Sequence, residues 1–378
     1  MTVFIRLRSA SRASRTALLA FAALLLCTSL SAAATPAYRI EVLATDVAFP
    51  WSIAFLPDGD YLITQRGGQL RRMSPAGDLS PPLAGVPPVF ARSQAGLFDV
   101  LPATDFASTG VVYLSYAHGD RRANTPRVAR ARLGDDGLEA LEVIFSGEPM
   151  QSTAAHYGGR LGLLPDGTLL FTTGDGFNYR EDAQRLDNTR GKTIRIHTDG
   201  RVPDDNPFIH APDALDTIWT YGHRNAQGLA VLPDGRVYQH EHGPQGGDEF
   251  NQLEPGRNYG WPVITHGIDY TGARISPFTE HPDMEQPLVD WTPSIAPSGL
   301  AYYDGDAFPE WRGQFFVGAL AERSIRRVSL EGDGAVDHGR VFDEIGERIR
   351  DVRTGPDGHI YVLTDAEAGR ILRIRPAD

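Results

Sequence analysis

The sequence predicts an all-β fold, a six-bladed β-propeller with long inserted loops. Short apolar runs rich in β-branched and aromatic residues recur along the chain, with Gly, Pro and Asp turns between them. No long stretch after residue 34 shows the periodicity of a helix. An apolar run, a turn and a second apolar run follow one another six times. Six hairpins that bury their faces against each other form a ring of six blades.

Residues 1–34 are predicted to be a secretory signal peptide. Four arginines and no acid precede the apolar run 17–26, and residues 31–34 are small enough for a cleavage site. The apolar run is too short to favour a membrane span, although a retained N-terminal anchor is the alternative. Cys27 is the only cysteine, so the mature chain 35–378 is expected to have neither a disulfide nor thiolate chemistry.

The charge of the mature chain argues against two classes of partner. Its 48 acidic and 32 basic residues give a net charge of −16, which disfavours nucleic acid and stable insertion into an anionic membrane. Lys192 is the only lysine. A bound anion is therefore expected to be held by arginine, whose planar guanidinium suits carboxylates.

The six predicted hairpins span residues 53–64, 98–114, 161–172, 229–238, 299–318 and 352–363. Four of them contain the turn Pro-Asp-Gly, and Asp-Gly is a favoured hairpin turn. The run 38–43 is predicted to complete the blade that ends in 371–374, which joins the two ends of the ring in one domain, 35–378. The main insertions are predicted at 178–215 and 266–293, and a plain β-sandwich is the alternative fold.

The stretch 221–262 places polar residues around one of these hairpins. Arg224 and Asn225 precede its two runs, 229–232 and 236–239, and a loop dense in Glu, His, Gly and Asp follows. A rigid sheet that carries polar side chains on its loops is a common framework for a site.

Several motifs in this stretch and beyond it resemble those of one family. They are G-H-R-N-A-Q-G-L, E-H-G-P-Q-G-G-D-E, N-Y-G-W-P, H-Y-G-G-R-L and R-I-R-D-V-R-T-G-P-D-G. In this order and spacing they resemble the soluble quinoprotein sugar dehydrogenases, and the resemblance extends from about residue 38 to residue 376. It is closer to the aldose-sugar branch than to the larger glucose-specific enzymes. The resemblance implies a periplasmic monomer or homodimer that oxidises aldose sugars at C1 to lactones, using PQQ, Ca²⁺ and an external electron acceptor.

The same resemblance implies the catalytic residues. His156 matches the general base that removes the proton of the C1 hydroxyl while hydride passes to PQQ, and histidine suits this role because it titrates near neutral pH. Asp175 matches the residue that orients this histidine. Without the resemblance, a structural histidine and an ordinary Asp-Gly turn are the simpler interpretations.

PQQ bears three carboxylates on a flat quinone and requires cations and a stacking face. By resemblance, the cofactor contacts are Gln94, Arg224, Asn225, Tyr270, Arg348 and Arg350. Arg348 and Arg350 are two residues apart, so both are expected on one face of a strand. One position departs from the family, because Ala321 stands where a lysine is common, and Arg323 is a candidate to replace it.

The metal ligands are also implied by resemblance. The carbonyls of Gly243 and Pro244 match those that hold the Ca²⁺ beside PQQ, and Glu249 with the Tyr259 carbonyl matches a structural Ca²⁺ site. His240 and His242 alternate on a predicted strand, but a zinc site there lacks a third ligand.

Two other functions remain open on the sequence. A metal-dependent propeller lactonase would use Asp248, Glu249 and histidines to activate water, and a non-catalytic propeller would only bind a ligand. A nicotinamide cofactor is not expected, since no glycine-rich fingerprint opens a βαβ unit.

Overall fold

The computed structural model describes residues 35–377, so the predicted signal peptide lies outside the described residues. This part of the chain is nearly all-β. Its helices are short: α1 (Phe106–Thr109) and the 3-10 helices Arg180–Gln184, Pro309–Trp311 and Asp343–Ile345. Within residues 35–377, no helix is both long enough and apolar enough to pass through a lipid bilayer.

Six antiparallel sheets form the blades. The first strand of the chain, β1 (Tyr38–Val47), belongs to the last blade. Blade 1 contains β2 (Pro50–Phe55), β3 (Tyr61–Gln65) and β4 (Gln69–Met73). Blade 2 contains β5 (Leu97–Pro102), β6 (Val111–Gly119), β7 (Asn124–Leu133) and β8 (Leu138–Ser146). Blade 3 contains β9 (Leu161–Leu163), β10 (Leu169–Thr172), β11 (Lys192–Ile196) and β12 (Ile218–Tyr221). Blade 4 contains β13 (Ala226–Val231), β14 (Val237–Glu241), β15 (Asp248–Leu253) and β16 (Val289–Trp291). Blade 5 contains β17 (Pro297–Tyr303), β18 (Gln314–Ala319), β19 (Ile325–Glu331) and β20 (Gly334–Val341). Blade 6 contains β21 (Ile349–Thr354), β22 (Ile360–Thr364), β23 (Gly369–Pro376) and β1.

One strand from each blade forms the inner wall of the ring. These six strands, β2, β5, β9, β13, β17 and β21, are called the first strands of their blades, and the strand hydrogen-bonded next to each is called the second. In turn, β2 contacts β5, β5 contacts β9, β9 contacts β13, β13 contacts β17, β17 contacts β21, and β21 contacts β2 again. This closed circuit of neighbours confirms the predicted six-bladed propeller. The strands outside the inner wall pack blade against blade.

Six clusters of buried apolar residues fill the spaces between consecutive blades in the described chain. Between blades 5 and 6, for example, Phe316 packs with Val352 and Leu372. The strands near the inner wall, such as β2 and β3, therefore bury side chains from both faces, which explains why their runs in the sequence are continuously apolar. Outer strands such as β8 and β20 keep exposed positions. The hydrophobic contribution to folding is distributed around the ring instead of residing in one core.

The N-terminal strand closes the ring as predicted. β1 pairs with β23 from Tyr38 opposite Pro376 to Val47 opposite Gly369. Glu41 forms ion pairs with Arg373 and Arg375 on the neighbouring strand. The two ends of the described chain thus form one sheet.

The hairpins also lie where the sequence places them. At the turn between β13 and β14, Gly235 has φ +88°, a left-handed conformation that favours glycine. The predicted insertions were partly wrong, because residues 178–215 contain β11 and residues 266–293 contain β16. These strands have five and three residues, too few for a clear periodic pattern among polar neighbours.

The antiparallel arrangement brings two sets of strand ends to one face of the ring. The first strands begin there, and the second strands, β3, β6, β10, β14, β18 and β22, end there. Residues that immediately precede a first strand or follow a second strand are therefore neighbours, although the sequence separates them widely.

Candidate active site

A cavity of about 270 Å³ lies at this face of the ring. Its lining residues are Trp51, Arg66, Gln94, Phe98, Tyr157, Gly158, Asn225, Gln227, His242, Ala296, Leu320, Arg348, Arg350 and Asp365. They come from all six blades, either near the start of a first strand or just beyond the end of a second strand. The cavity therefore exists only when the ring is closed.

His156 and Asp175 form a buried pair beside this cavity. His156 is 4% exposed, and its Nδ1 lies 2.7 Å from Oδ1 of Asp175. The other carboxylate oxygen of Asp175 accepts a hydrogen bond from the indole of Trp261 at 2.8 Å. The backbone of His156 has φ +55°, a strained conformation for a residue with a side chain, and such strain is common at functional sites.

The surroundings of His156 favour its neutral form. Burial lowers the pKa of His156, the carboxylate of Asp175 partly opposes this, and Arg224 lowers the pKa further. For Asp175, burial raises the pKa, but His156, Arg224 and the amide of Phe177 outweigh this and the pKa is lowered. A neutral imidazole that donates Nδ1–H to a carboxylate keeps a lone pair on Nε2, which is the form a general base requires.

Three arginines share one carboxylate at the wall of the cavity. Arg66, Arg348 and Arg350 form ion pairs with Asp365 at N–O distances of 3.5, 3.2 and 3.3 Å. Burial raises the pKa of Asp365, but the three guanidinium groups outweigh it and the pKa is lowered. With Asp365 ionised, the group carries two net positive charges, so it attracts an anion with several carboxylates.

Asn225, Gln94 and Gln227 fix the backbone of the loop that carries His156. The Gln94 side chain accepts a hydrogen bond from the His156 amide at 2.8 Å, and Asn225 accepts one from the Gly158 amide at 3.2 Å. Gln227 donates to the Gly158 carbonyl at 3.0 Å. In the structure, Gln94 and Asn225 therefore line the cavity and also position the candidate base.

Arg224 and Tyr270 lie at a second pocket of about 470 Å³, which also contains Phe177, Pro244 and Trp261. The Arg224 guanidinium lies 5.2 Å from the Trp261 ring and 5.9 Å from the Tyr270 ring. His156 lies between the two pockets, since Tyr157 lines the first and Phe177, at 5.0 Å from the His156 ring, lines the second.

The loop predicted to bind Ca²⁺ beside the cofactor is partly engaged by Arg224. Nη1 of Arg224 donates to the Gly243 carbonyl at 2.6 Å and to the His242 carbonyl at 3.1 Å. Pro244 lines the second pocket. A calcium ion at the Gly243 oxygen therefore requires the guanidinium to release it, because the two cations repel each other.

Glu249 lies in a row of acidic residues across blade 4. It is directly opposite Glu241 on β14 and Asp290 on β16. Burial and these two neighbours, with Asp248, raise the pKa of Glu249 well above its usual range. The Tyr259 ring stacks on His223 at 4.8 Å, and His223 contacts Glu241, the residue opposite Glu249.

Of the other candidate cation and metal residues, Arg323, Lys192, His240 and His242, only His242 lines the cavity. Arg323, the candidate to replace the family lysine, is exposed and does not line the cavity, and Ala321 borders a different pocket. Lys192 is buried against backbone carbonyls. The ring nitrogens of His240 and His242 contact the carbonyls of Gly299 and Pro297, which is a structural role.

No group of three His, Cys, Asp or Glu side chains within residues 35–377 has the arrangement of a metal site. The calcium sites implied by resemblance depend largely on backbone carbonyls and are a different kind of site.

Sequence reasoning missed Arg66, Asp365, Gln227 and Trp261. Trp261 and Gln227 lie inside quoted motifs, where the family match could have drawn attention to them. Arg66 and Asp365 each follow the end of a second strand, and this shared position was the available signal.

Known sugar dehydrogenases match this chain over nearly its whole length. The family described as Glucose / Sorbosone dehydrogenase matches residues 47–373. The aldose sugar dehydrogenase YliI of Escherichia coli is 43% identical over 360 residues, which cover 93% of this chain and 97% of that protein.

Solved structures agree with the sequence matches. The crystal structure of the soluble aldose sugar dehydrogenase of Escherichia coli, in the apo form, has a TM-score of 0.87 and 42% identity, covering 90% of this chain and 100% of that chain. The PQQ-bound form of the aldose sugar dehydrogenase of Streptomyces coelicolor has a TM-score of 0.72 and 26% identity, covering 90% and 99% of the two chains.

Proposed function

The chain belongs to the Glucose / Sorbosone dehydrogenase family, and from this premise we propose that it is a PQQ-dependent oxidoreductase that oxidises aldose sugars at C1 to lactones. The observation that carries the proposal is the buried His156–Asp175 pair beside a cavity walled by three arginines. A histidine base and a polycationic wall are the two features that sugar oxidation with a tricarboxylate cofactor requires.

The residues of the cavity fit PQQ in charge and approximately in size. Arg66, Arg348 and Arg350 exceed the charge of Asp365 by two, which complements a group with three carboxylates. The volume of about 270 Å³ is near the lower end of the range for small-molecule sites, roughly 300 Å³. Arg66 supplies a third cation at the wall of this cavity, beside Arg348 and Arg350.

PQQ, when bound, supplies a quinone that accepts the two electrons and the hydrogen from C1. The protein supplies the base: Nε2 of His156 takes the proton of the C1 hydroxyl as the C1–H bond breaks and the carbonyl of the lactone forms. The carboxylate of Asp175 stabilises the resulting imidazolium, and Trp261 holds that carboxylate in place.

Arg224 is placed to respond to the cofactor and the metal together. Its guanidinium now binds the Gly243 carbonyl, and PQQ offers it carboxylates instead. Turning toward the cofactor would release that carbonyl for Ca²⁺, so cofactor and metal are expected to bind cooperatively. Glu249 and the Tyr259 carbonyl are assigned to the structural Ca²⁺.

We assign the mature protein to the periplasm, where the enzyme delivers electrons to an external acceptor. The predicted signal peptide, residues 1–34, supports this location. The arrangement as a monomer or homodimer stays a prediction.

The test is reduction of an artificial dye by the mature chain with PQQ and Ca²⁺, using glucose, galactose, xylose and maltose as substrates. His156→Ala is expected to lower kcat/KM by about 100-fold or more, as for loss of a general base. The control is His338→Ala, because His338 is exposed and bonds only Ser329 among the described residues. Dye reduction without PQQ, or unchanged activity in His156→Ala, would contradict the proposal.

A further inference from the structure

Arg160 lies below the cavity, where the first strands of the blades converge. Its side chain is 2% exposed. Its Nε donates to the Gln227 carbonyl at 2.7 Å, and its Nη2 lies 3.3 Å from the Arg350 carbonyl and 3.5 Å from the Ser298 carbonyl. One guanidinium thus reaches the inner strands of blades 4, 5 and 6.

Arg160 also contacts the remaining blades through charge and ring interactions. Its Nη2 forms an ion pair with Asp351 at 2.9 Å, and its Nη1 lies 3.8 Å from Asp99 of blade 2. The guanidinium carbon lies 4.1 Å from the ring of Trp51 in blade 1. Arg160 itself immediately precedes β9 of blade 3, so its side chain connects that blade with the inner walls of the other five.

Arg353 completes a balanced network on the side away from the cavity. It pairs with Asp99 at 2.9 Å and with Asp351 at 3.0 Å, so two arginines neutralise two buried carboxylates. Arg353 lines a pocket of about 660 Å³ at the opposite end of the inner wall. The two arginines share their carboxylates but face different ends of the ring.

We propose that Arg160 is a positioning residue for the cofactor cavity, an inference that rests on the proposed function. Three of its contacts, Trp51, Gln227 and Arg350, line the cavity. Gln227 Oε1 also accepts a hydrogen bond from Arg350 Nη1 at 3.2 Å, so Arg160 fixes both members of this pair through their backbones. Arg160 therefore sets where the cationic wall stands relative to the base.

The test compares Arg160→Lys with the matched control Arg353→Met. Lysine keeps the positive charge but lacks the forked donors that reach three carbonyls, so this variant removes positioning while retaining charge balance. The dissociation constant of PQQ, titrated in Ca²⁺ by the change in protein fluorescence, and the midpoint of thermal unfolding are measured for both. Arg160→Lys is expected to weaken PQQ binding about tenfold, while Arg353→Met lowers the midpoint but changes PQQ affinity less than twofold.

Equal losses of PQQ affinity in the two variants would overturn the proposal, because they would indicate general destabilisation. A double-mutant cycle with Arg350→Gln tests whether Arg160 acts through Arg350. If Arg160 acts through Arg350, the effect of Arg160→Lys on PQQ affinity is expected to shrink to below twofold in the Arg350→Gln background; a full tenfold effect there would refute this route.

Hydrogen exchange of the apo protein separates this inference from the proposed function. Arg160→Lys is expected to increase exchange in β13, β17 and β21, whereas Arg353→Met leaves β13 unchanged. If wild-type protein binds no PQQ, the proposed function fails, yet the exchange pattern still tests whether Arg160 holds these strands. Unchanged exchange in Arg160→Lys would contradict its role in positioning.

Discussion

The environment of His156 determines the direction of the pH dependence. The base must be neutral to act, so activity rises with pH through its pKa, which burial places below the usual value. The carboxylate of Asp175 raises this pKa, and its removal lowers the pKa further. Asp175→Asn is therefore expected to move the acid limb of the kcat/KM profile to lower pH and to reduce kcat about 10- to 100-fold.

The measurement for Asp175→Asn is the pH dependence of kcat/KM with saturating PQQ, for wild type and variant. A shift of the acid limb to higher pH, or an unchanged kcat, would show that Asp175 does not act on His156. The Trp261 indole, which now binds the carboxylate, is expected to bond the asparagine oxygen and preserve the geometry.

The burial of Lys192 leads us to expect a second pH effect, on the stability of the fold. Its ammonium is held by the carbonyls of Asp182, Ala183 and Arg190, and burial lowers its pKa from 10.5 to about 7. Between these two values the unfolded chain binds more protons at this lysine than the folded chain, so this group makes the free energy of unfolding rise with pH. Below about pH 7 both states are protonated and the slope from this lysine disappears.

Denaturant unfolding at pH 7 and pH 9.5 checks this expectation by comparing wild type with Lys192→Met. Between the two pH values, the free energy of unfolding of the wild type is expected to rise by on the order of 2 kcal/mol more than that of the variant. Lys192→Met removes the titrating group, and other ionisable groups contribute equally to both proteins. An equal pH slope in the two proteins would mean that the buried lysine keeps its ordinary pKa.

The loop between β3 and β4 contributes Arg66, which the family motifs did not identify. Arg66→Met removes one of three cations around Asp365 and is expected to weaken PQQ binding about fivefold to tenfold, with a weaker dependence on salt. Arg236→Met is the control, because Arg236 pairs with Asp234 at a hairpin turn away from the cavity. Equal PQQ affinity in both variants would exclude Arg66 from the anion site.

Most of the hairpins were predictable from the sequence because four of the six carry a Pro-Asp-Gly turn. Asp-Gly turns mark where strands reverse, and the flanking apolar runs identify the strands. β11 and β16 were not predicted, because five and three residues between polar loops give no periodic pattern. Local chemistry therefore identifies hairpins more readily than the strands that complete a blade.

The candidate site was predictable only where motifs marked it. His156 and Arg224 lie in motifs, whereas Arg66 and Asp365 are about 300 residues apart and meet only because the ring closes. The contact between Arg224 and the Gly243 carbonyl depends on side-chain placement that no local pattern encodes.

Closure of the ring by β1 can be tested on the whole molecule. A chain that starts at residue 48 loses the pairing of β1 with β23 and the burial of Ala44 and Val47. This burial and pairing amount to about 3 kcal/mol, which in a chain of this length corresponds to a melting temperature lower by roughly 4 °C. A chain that starts at residue 36 is the control. The same melting temperature for both chains would show that β1 does not stabilise the ring.

The pairing of β1 with β23 also has a consequence for biosynthesis. The ribosome produces β1 early and β23 late, so five blades can form before the three remaining strands of the sixth, β21, β22 and β23, are made. During this time β1 presents unpaired backbone groups, an edge that invites association with other nascent chains. Loss of Gly369–Pro376 through a late stop codon would leave this edge exposed permanently, so a deletion of fewer than a dozen residues affects both ends of the chain.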